Sequence, residues 1–537
     1  MIYPINTALR HKDGLTYQVV AANPIEATLN HEDGKTCISR RLTWKEIDRD
    51  FHGPTESSLD EYTRFLESKQ VTFQPKGFEV PLEDLNPPLF GEKHQFQPRI
   101  IQWALKLGCA AIFAQYGLGK TIIQVKWAEQ VAKHTLGKVL LLAPLAVAPQ
   151  TVKEADRFGV TIAYCRNQAE ADESGEKLIV TNYEMLKHFD PSQYVGIVLD
   201  ESSVLKQYRG KTKELLCNSF KDTPYRLCCS ATPAPNDWLE LGNHAEFLGV
   251  ATSHLMISRW FQNDTMQAGA YKLRPHAASD FWQWVASWAV CLTMPSDLGF
   301  SDDGWKLPPL NIHSHVIPVD HTETWGEANR DGQLQLVRTP SLSATNTHKE
   351  ARLNCDRIAD KIADLVQAEA LEAWVLWCFT NYESDALKSA LPEAIELRGD
   401  EKSSVKQEKL AAFTNGEIKK LITKPEIAGL GLNWQHCQHQ AFMMGTSYSF
   451  ELFHQALHRL YRFGQKRPVE THLVFPETAG GVRQVISRKQ RQFEAMQLAL
   501  RNAVRLSQLA AHQQQVHDDY IPQVQMILPD WLRSKSA

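Results

Sequence analysis

Three features are missing from the sequence: paired cysteines, long apolar runs and an excess of positive charge. The ten cysteines are scattered and include no C-x-x-C pair, which argues against a zinc ribbon or a disulfide framework and favours reduced thiols. The longest apolar stretch, VLLLAPLAVAP, is interrupted by proline and is too short to cross a bilayer. The first residues, MIYPINTALRHKDG, contain no apolar segment of signal-peptide length. We therefore expect a cytoplasmic protein with no membrane partner.

The charge balance limits how the chain could bind a polyanion. The formal net charge is −4, so no globally basic surface is available to attract nucleic acid. Any such binding must depend on a local patch or groove. The hydrophobic content of 43% is ordinary for a globular protein, and a length of 537 residues suits two to four domains.

Short apolar runs alternate with helical segments in two regions of the chain. The first region contains AAIFA, VLLLA, KLIVT, VGIVLD and YRLCCS, and the second contains AWVLWCF, AIEL, KKLIT, HQAFMM and THLVF. Continuous apolar strands between helices indicate parallel sheets that are covered on both faces, so the predicted fold class is α/β with two such units. The predicted organisation is a small β-rich N-terminal module (1–50), a helix and linker (51–90), the first α/β unit (91–250), a mostly helical insertion (251–350), the second α/β unit (351–480), and a C-terminal helix and tail (481–537).

The stretch AAIFAQYGLGKT places a predicted strand, a glycine-containing loop and the start of a helix in succession. The backbone N–H groups of such a loop and of the helix N-terminus cradle phosphates, which predicts ATP binding. Lys120 would reach the β- and γ-phosphates, and the Thr121 hydroxyl would ligate Mg²⁺. Ala114 stands where the general pattern has its first glycine. The predicted ATP-binding residues of the loop are Gln115, Tyr116, Gly117, Leu118, Gly119, Lys120 and Thr121.

A second apolar strand, YVGIVLD, ends in an acidic pair, Asp200 and Glu201. The carboxyl ends of parallel strands form the ligand-binding edge of an open α/β sheet. We predict that Asp200 holds Mg²⁺ and that Glu201 orients and deprotonates the attacking water. Taken alone, such a pair is better explained as the N-terminal cap of a helix, but the phosphate loop in the same sheet favours catalysis. The next strand ends in Ser230, Ala231 and Thr232, which are suited to hydrogen-bonding the acidic strand.

The stretch HQALHRLYRFGQK places Gln455, Arg459 and Arg462 on one face of a predicted helix. Guanidinium groups are always charged and match the geometry of phosphate oxygens. If the second α/β unit packs across a cleft from the first, these side chains would face the γ-phosphate. Arg459 and Arg462 are then predicted to be catalytic and Gln455 to bind ATP. The alternative, in which the arginines pair with acids of their own domain, stays open at this point.

The order of these motifs resembles that of the superfamily-two helicase-like ATPases with a DEAD/DEAH-type core, and within them the Swi/Snf-related DNA translocases. The resemblance extends from about Phe96 to Phe475 and implies two tandem RecA-like P-loop domains. It includes HQFQPRIIQWAL, whose Gln97 would contact adenine. It also includes the run AGLGLN; its Gly429 and Gly431, like the Ser-Ala-Thr motif, would couple the two domains. The box D-E-S-S departs from the usual D-E-A-H, and the compact chain is similar to the phage and prokaryotic branch.

The resemblance also implies a nucleic-acid strand, most often duplex DNA, that lies across both domains and is held through its phosphates. Sequence preference is not expected from such contacts. The candidate DNA-binding residues are Pro144, Thr181, Asn182, Thr423 and Lys424.

These features favour an ATP-dependent motor that moves along double-stranded DNA. A strand-separating DNA or RNA helicase is one alternative, because the Ser-Ala-Thr motif is commoner in that group. A motor subunit of a nuclease, methyltransferase or replication complex is another, since no nuclease motif is visible. A scaffold that binds nucleic acid without hydrolysis is disfavoured by the intact Lys120, Asp200, Glu201, Arg459 and Arg462. The N-terminal module is a candidate surface for a partner protein.

Overall fold

The structure is a computed structural model, and it describes most of the chain. The described residues are 8–12, 15–22, 26–32, 37–54, 75–85, 90–91, 94–145, 147–206, 210–264, 271–319, 344–428, 433–446 and 449–516. The chain forms two compact units, residues 1–72 with 511–537 and residues 73–510.

The first unit contains five short strands and one helix. These are β1 (Ala8–His11), β2 (Thr16–Ala22), β3 (Glu26–Glu32), β4 (Cys37–Thr43), α1 (Trp44–Asp50) and β5 (Phe51–Pro54). The strands form one antiparallel sheet in the order β4-β3-β2-β1-β5. Its buried core residues are Leu9, Tyr17, Val19, Leu29 and Ile47. The expected small β-rich module is confirmed.

The second unit contains two parallel sheets, and we call the part built on the first of them lobe 1. Its strands are β6 (Cys109–Ala114), β7 (Lys138–Ala143), β8 (Ala163–Tyr164), β9 (Leu178–Asn182), β10 (Tyr194–Asp200), β11 (Tyr225–Cys229), the separate ribbon β12 (Phe261–Asn263) with β13 (Tyr271–Leu273), and β14 (Ala289–Leu292). The sheet order is β14-β6-β11-β10-β7-β9-β8, and every pair in it is parallel. All six residues of β6 are buried, as its unbroken apolar run predicts.

Helices cover lobe 1. The α-helices are α2 (Phe96–Leu107), α3 (Lys120–Thr135), α4 (Ala148–Arg157), α5 (Gln168–Glu173), α6 (Lys211–Ser219), α7 (Glu240–Leu248), α8 (Ser253–Trp260) and α9 (Ala278–Ala286). The 3₁₀ helices are Leu82–Leu85, Tyr183–His188, Pro191–Gln193, Ser202–Lys206, Pro275–Ala277 and Pro295–Leu298. One apolar core joins α2 and α3 to the central strands.

We call the part built on the second parallel sheet lobe 2. Its strands are β15 (Leu310–Ile317), β16 (Trp374–Trp377), β17 (Ile395–Glu396), β18 (Lys420–Thr423), β19 (His439–Met443) and β20 (Val469–Pro476). The sheet order is β15-β20-β19-β16-β18-β17. The helices are α10 (Ala344–Leu353), α11 (Cys355–Ala368), α12 (Asn381–Ala390), α13 (Ser403–Thr414), α14 (Pro425–Ala428), α15 (Phe450–Leu457) and the 3₁₀ helix Glu477–Ala479. The two parallel sheets confirm the predicted fold class.

A long helix, α16 (Gly480–Val516), follows lobe 2 and also packs on lobe 1. Its Phe493 ring lies 5.6 Å from that of Phe450 in α15, while Val504 belongs to the lobe 1 core. The guanidinium of Arg501 donates to the hydroxyl of Thr293 at 2.8 Å. The helix therefore contacts both lobes.

The segment between the α/β units differs from the expected mostly helical insertion. It contains α8 and α9, but it also supplies β14 to the edge of the lobe 1 sheet and β15 to the edge of the lobe 2 sheet. Each strand runs parallel to its neighbour, so its backbone hydrogen bonds are satisfied by a sheet that the rest of the lobe builds.

Several expectations fall outside the described residues. These include much of the predicted helix and linker (55–74 and 86–89), the motif containing Gly429 and Gly431, and the tail from residue 517 onward. Among the helices that the structure describes, none combines the length and the apolar character needed to span a bilayer.

Candidate active site

The phosphate loop connects the end of β6 to the start of α3. Gly117 and Gly119 have φ angles of 89° and 78°, which glycine adopts without steric cost. A Cβ at Gly119 would lie 2.2 Å from Nε2 of Gln97, so a side chain there would displace the Gln97 amide. The same Gln97 amide is buried and donates to the carbonyl oxygen of Leu118 at 3.0 Å. Gln97 thus supports the loop, and its contact with adenine stays a prediction.

The Lys120 side chain lies along the inside of this loop. Its Nζ donates to the carbonyl oxygen of Ala114 at 2.9 Å and lies 5.0 Å from the centre of the Tyr116 ring. Burial lowers the pKa of Lys120, and the nearby carboxylates oppose that shift. The hydrogen bond to Ala114 holds the amine inside the loop, and Thr121 follows Lys120 in the first turn of α3.

The acidic pair lies at the carboxyl end of β10, in the middle of the sheet. Nε2 of Gln124 donates to Oδ1 of Asp200 at 2.7 Å. Oε1 of Glu201 accepts hydrogen bonds from the hydroxyls of Ser230 at 2.6 Å and Ser203 at 3.1 Å. Burial raises the pKa of both carboxyls. Each carboxylate is thus fixed in orientation by groups of lobe 1.

The backbone of Glu201 adopts a left-handed conformation with a φ angle of 58°. For a residue with a side chain this conformation costs roughly 1–3 kcal/mol, and such strain is concentrated at functional sites. The neighbouring sheet holds the residue in place, because β10 pairs with strands on both sides.

The residues predicted to couple the site to the rest of the motor are only partly described. The Ser230 hydroxyl, besides donating to the glutamate, accepts a hydrogen bond from the backbone N–H of Thr232 at 3.0 Å. Ala231 and Thr232 are buried beside it. Ser-Ala-Thr therefore lies against the acidic strand, as its pattern predicts, whereas its coupling role and that of Gly429 and Gly431 stay predictions.

Lobe 2 contributes two arginines from just beyond the end of α15. Nε of Arg459 donates to the carbonyl oxygen of Gln455 at 3.2 Å, and its guanidinium carbon lies 5.7 Å from the centre of the Tyr116 ring of lobe 1. Burial lowers the pKa of Arg459, and it lowers that of Arg462 to about 10. The contact with Tyr116 places Arg459 at the boundary with lobe 1. The Gln455 amide instead donates within α15 to Glu451 at 3.4 Å.

One cavity of about 220 Å³ joins these groups. Arg459 and Arg462 of lobe 2 line it together with the acidic pair of lobe 1. Its full lining is Tyr116, Gly117, Gly119, Lys120, Thr121, Pro144, Val147, Gln150, Thr151, Glu154, Asp200, Glu201, Arg459 and Arg462. Of the predicted nucleotide-binding residues, Gln97, Gln115, Leu118 and Gln455 lie outside this lining.

The donors around the cavity fit a hydrated Mg²⁺ ion bound with a nucleotide. The Thr121 hydroxyl and the Asp200 carboxylate supply oxygen, the ligand type that Mg²⁺ prefers. In the part of the chain that the structure describes, no three His, Cys, Asp or Glu side chains are grouped to hold a metal by themselves. An ion held by Thr121 and Asp200 would thus need phosphate and water oxygens to complete its shell, as is usual for Mg²⁺.

Direct contacts between the lobes surround the phosphate loop. A Cβ at Gly117 would lie 2.8 Å from Cβ of Phe463 and 2.9 Å from its backbone nitrogen, so the loop and lobe 2 touch. The Gln115 amide lies 3.4 Å from Nε2 of His458. The rings of Tyr116 and His458 are stacked with centroids 5.0 Å apart. The loop is thus enclosed by lobe 2 as well as by lobe 1.

Sequence reasoning missed several of these side chains. The lining residues Gln150, Thr151 and Glu154 belong to α4, which begins just after the carboxyl end of β7. A helix that follows a strand at this edge of the sheet was a usable signal. The contacts of Phe463 and His458 had no such signal, because each depends on the placement of one lobe against the other.

The predicted nucleic-acid contacts of lobe 1 are not exposed. Pro144 lines the cavity rather than a separate surface. Thr181 is fully buried at the end of β9. The Asn182 side chain accepts hydrogen bonds from two backbone N–H groups and caps the 3₁₀ helix Tyr183–His188. Contact between these side chains and a nucleic acid stays a prediction that requires local movement.

In lobe 2 the two predicted contacts differ from each other. Thr423 is fully buried at the end of β18. Lys424 is half-buried, and its Nζ donates to the side-chain oxygen of Asn381 at 2.6 Å. Lys424 is therefore the candidate whose charged end is best placed for a phosphate.

Comparison with known proteins agrees with this geometry for lobe 1. No curated protein matches the chain. Residues 96–276, which include the phosphate loop, the acidic pair and Ser-Ala-Thr, match the family model of the SNF2-related domain. This part of the chain is thus similar to the SNF2-related domain, and the match supports a relationship to the helicase-like proteins of the SNF2 and superfamily-two group.

Proposed function

We propose that the protein is a nucleic-acid-dependent ATPase motor that hydrolyses ATP between its two lobes and thereby moves along double-stranded DNA. The observation that carries the proposal is the shared cavity. Lys120, Thr121, Asp200 and Glu201 of lobe 1 line it opposite Arg459 and Arg462 of lobe 2.

Each lobe 1 group has a distinct chemical task in this proposal. The backbone N–H groups of the phosphate loop and the Lys120 amine bind the phosphates, while Thr121 and Asp200 hold Mg²⁺. When bound, the ion neutralises charge on the phosphate oxygens. Glu201, oriented by Ser230, accepts a proton from the attacking water. A pKa raised by burial makes its carboxylate a stronger base than an exposed glutamate.

The arginines make hydrolysis depend on lobe 2. Guanidinium groups supplied from a second domain stabilise the charge that develops on the transferred phosphoryl group. Arg459 and Arg462 reach the cavity only while lobe 2 lies against the loop, because both belong to that lobe. Opening and closing of the cleft with each turnover would then convert hydrolysis into movement along the nucleic acid.

The nucleic acid would be held through its phosphates. The net charge of −4 leaves no global basic surface, so a few local donors such as Lys424 must supply these contacts. Such contacts carry no base code, and we therefore propose movement without sequence preference.

The test is phosphate release by the full chain with duplex DNA, single-stranded DNA or RNA. We expect the largest stimulation by blunt duplex DNA and no release of a labelled strand from a forked substrate. Lys120→Ala should reduce stimulated hydrolysis by on the order of 10²-fold or more, since it removes a phosphate-binding cation. Lys106→Ala, in an exposed ion pair with Glu79, is the matched control and should leave the rate unchanged. Strand release would favour a strand-separating helicase, and hydrolysis by Lys120→Ala at the wild-type rate would disprove the site.

A further inference from the structure

One ion pair joins the lobes beside the cavity without lining it. Nζ of Lys206, in lobe 1, bonds to Oε2 of Glu451 in α15 of lobe 2. The lysine side chain is 34% exposed and the glutamate side chain only 8%. Removing the lysine charge would take the directly bonded cation from a carboxylate that is almost entirely buried, which is costly.

On the lobe 1 side, Lys206 is tied rigidly to the catalytic strand. It ends the 3₁₀ helix Ser202–Lys206, which begins directly after Glu201. The side-chain amide of Asn243 in α7 donates to the carbonyl oxygen of Lys206 at 3.2 Å and also binds the preceding carbonyl. The Ser202 hydroxyl lies 3.1 Å from Nε2 of a buried histidine in the same helix. The position of Lys206 thus follows that of Glu201.

On the lobe 2 side, Glu451 is connected to the arginines through α15. Its Oε1 accepts a hydrogen bond from the Gln455 side chain one turn later, and the Gln455 carbonyl oxygen accepts one from Nε of Arg459. Movement of Glu451 along or around the helix axis therefore moves Arg459. The buried Gln455 serves in this chain of contacts rather than on the cavity wall.

The charges near the pair explain why a cation is needed there. Burial is the largest cause of the raised pKa of Glu201 and of Glu240 in α7, and the nearby Glu451 carboxylate adds to both shifts. A cation beside Glu451 opposes the repulsion between these acidic groups. Lys206 supplies one that bonds directly to Glu451, and Lys489 of α16 lies close enough to interact with the same carboxylate.

We propose that Lys206 and Glu451 are positioning residues, whose ion pair sets the distance between the catalytic base of lobe 1 and the arginines of lobe 2. This inference rests on the proposed ATPase function and identifies how the two halves of that site are aligned. Ser203, the last residue of the D-E-S-S box, bonds instead to Glu201 of its own lobe, and this hydrogen bond does not link lobe 1 to lobe 2.

Charge reversal tests the pairing in the full chain. We expect Lys206→Glu and Glu451→Lys each to lower kcat of nucleic-acid-stimulated hydrolysis by about tenfold or more, with KM for ATP changed by less than about threefold. The double variant, which restores opposite charges, should recover kcat to within about threefold of wild type. A residue with only a structural role would change stability, so the midpoint of thermal unfolding is measured for every variant. Lys106→Glu, which breaks the exposed pair with Glu79, is the control and should keep the wild-type kcat.

The outcomes separate this inference from the proposed function. Wild-type hydrolysis together with unchanged rates in the single variants overturns the inference alone. A double variant that is no faster than the slower single variant overturns it as well. A wild-type chain that releases no phosphate with any nucleic acid overturns the proposed function and this inference with it.

Discussion

Lobe 1 and lobe 2 are built on the same kind of parallel sheet but contribute to the cavity in different ways. Lobe 1 provides Lys120, Asp200 and Glu201 from a strand-helix loop and from the end of a central strand. Lobe 2 provides Arg459 and Arg462 from beyond the end of α15, outside its sheet. Lys120, Asp200 and Glu201 are therefore positioned by one sheet, whereas the positions of Arg459 and Arg462 relative to them depend on how the lobes meet.

The edge strands β14 and β15 of the two sheets differ in how far their side chains are exposed. In lobe 1, all four residues of the edge strand β14 are buried. In lobe 2, the edge strand β15 exposes Ile312 by 46% and Val316 by 53%. On its other face His313 bonds to Glu470 of the neighbouring strand at 2.7 Å. Polar side chains along such an edge oppose pairing with another chain.

The largest effect is expected from the arginine of lobe 2. Arg459→Ala should lower kcat by on the order of 10³-fold, because a guanidinium from a second domain acts chiefly on the transition state. Binding of ATP to lobe 1 should change far less, which a fluorescent-nucleotide titration alongside steady-state kinetics would measure. Arg467→Ala, at a side chain that is 58% exposed, is the control. If ATP affinity and kcat fall equally, then both lobes bind ATP in the ground state, and the proposed difference between the lobes is wrong.

A smaller effect is expected where the loop of lobe 1 touches lobe 2. Gly117→Ala places a methyl group against Phe463 and also strains a left-handed backbone. Gly159→Ala is the matched control, since its φ of 67° brings the same strain into open space. Both variants should lose about 1–2 kcal/mol of stability, and only Gly117→Ala should lose hydrolysis. Urea unfolding and phosphate release measure the two quantities, and equal rates would mean that the lobes need not close on the loop.

The smallest effect concerns stability at the lobe 1 side of the boundary. Burial raises the pKa of Glu240 from 4.5 to about 7. Between these values the unfolded chain releases this proton and the folded chain retains it, so the free energy of unfolding falls as the pH rises through this window. Glu240→Gln should remove that pH dependence, because the amide does not titrate. At pH 8 it should stabilise the protein by about 1–2 kcal/mol, a gain that is limited by a weaker bond to Asn236. Urea unfolding at pH 5 and pH 8 tests this, with the exposed Glu173→Gln as control. A stability gain that is the same at both pH values would exclude titration of Glu240 as its cause.

Local sequence patterns were sufficient for the fold class and for the lobe 1 half of the site. The apolar run of β6 followed by Gly117, Gly119 and Lys120 predicts a buried strand, a loop and a helix start, and each of these depends on neighbouring residues alone. The carboxyl end of β10 placed Asp200 and Glu201 near that loop, because parallel strands end at one edge. The strands β14 and β15 escaped prediction, since each gains its hydrogen bonds from a distant segment of the chain.

Gln455 shows the limit of periodicity. Its spacing predicts one helical face shared with Arg459 and Arg462, but α15 ends at Leu457, so the two arginines follow the helix instead of lying on it. The partners of this part of lobe 2 lie hundreds of positions away along the chain, as the contacts of Gln115 with His458 and of Lys206 with Glu451 show.

The sequence by itself determined two parallel α/β units, a phosphate loop, an acidic strand end and a helix that is followed closely by two arginines, because each is encoded by residues close together along the chain. Only the tertiary structure decided that these motifs share one cavity and that an ion pair joins the lobes beside it. The reason is physical: local backbone preferences and apolar periodicity form an element, whereas the packing of one lobe on the other depends on surface shape and charge summed over both.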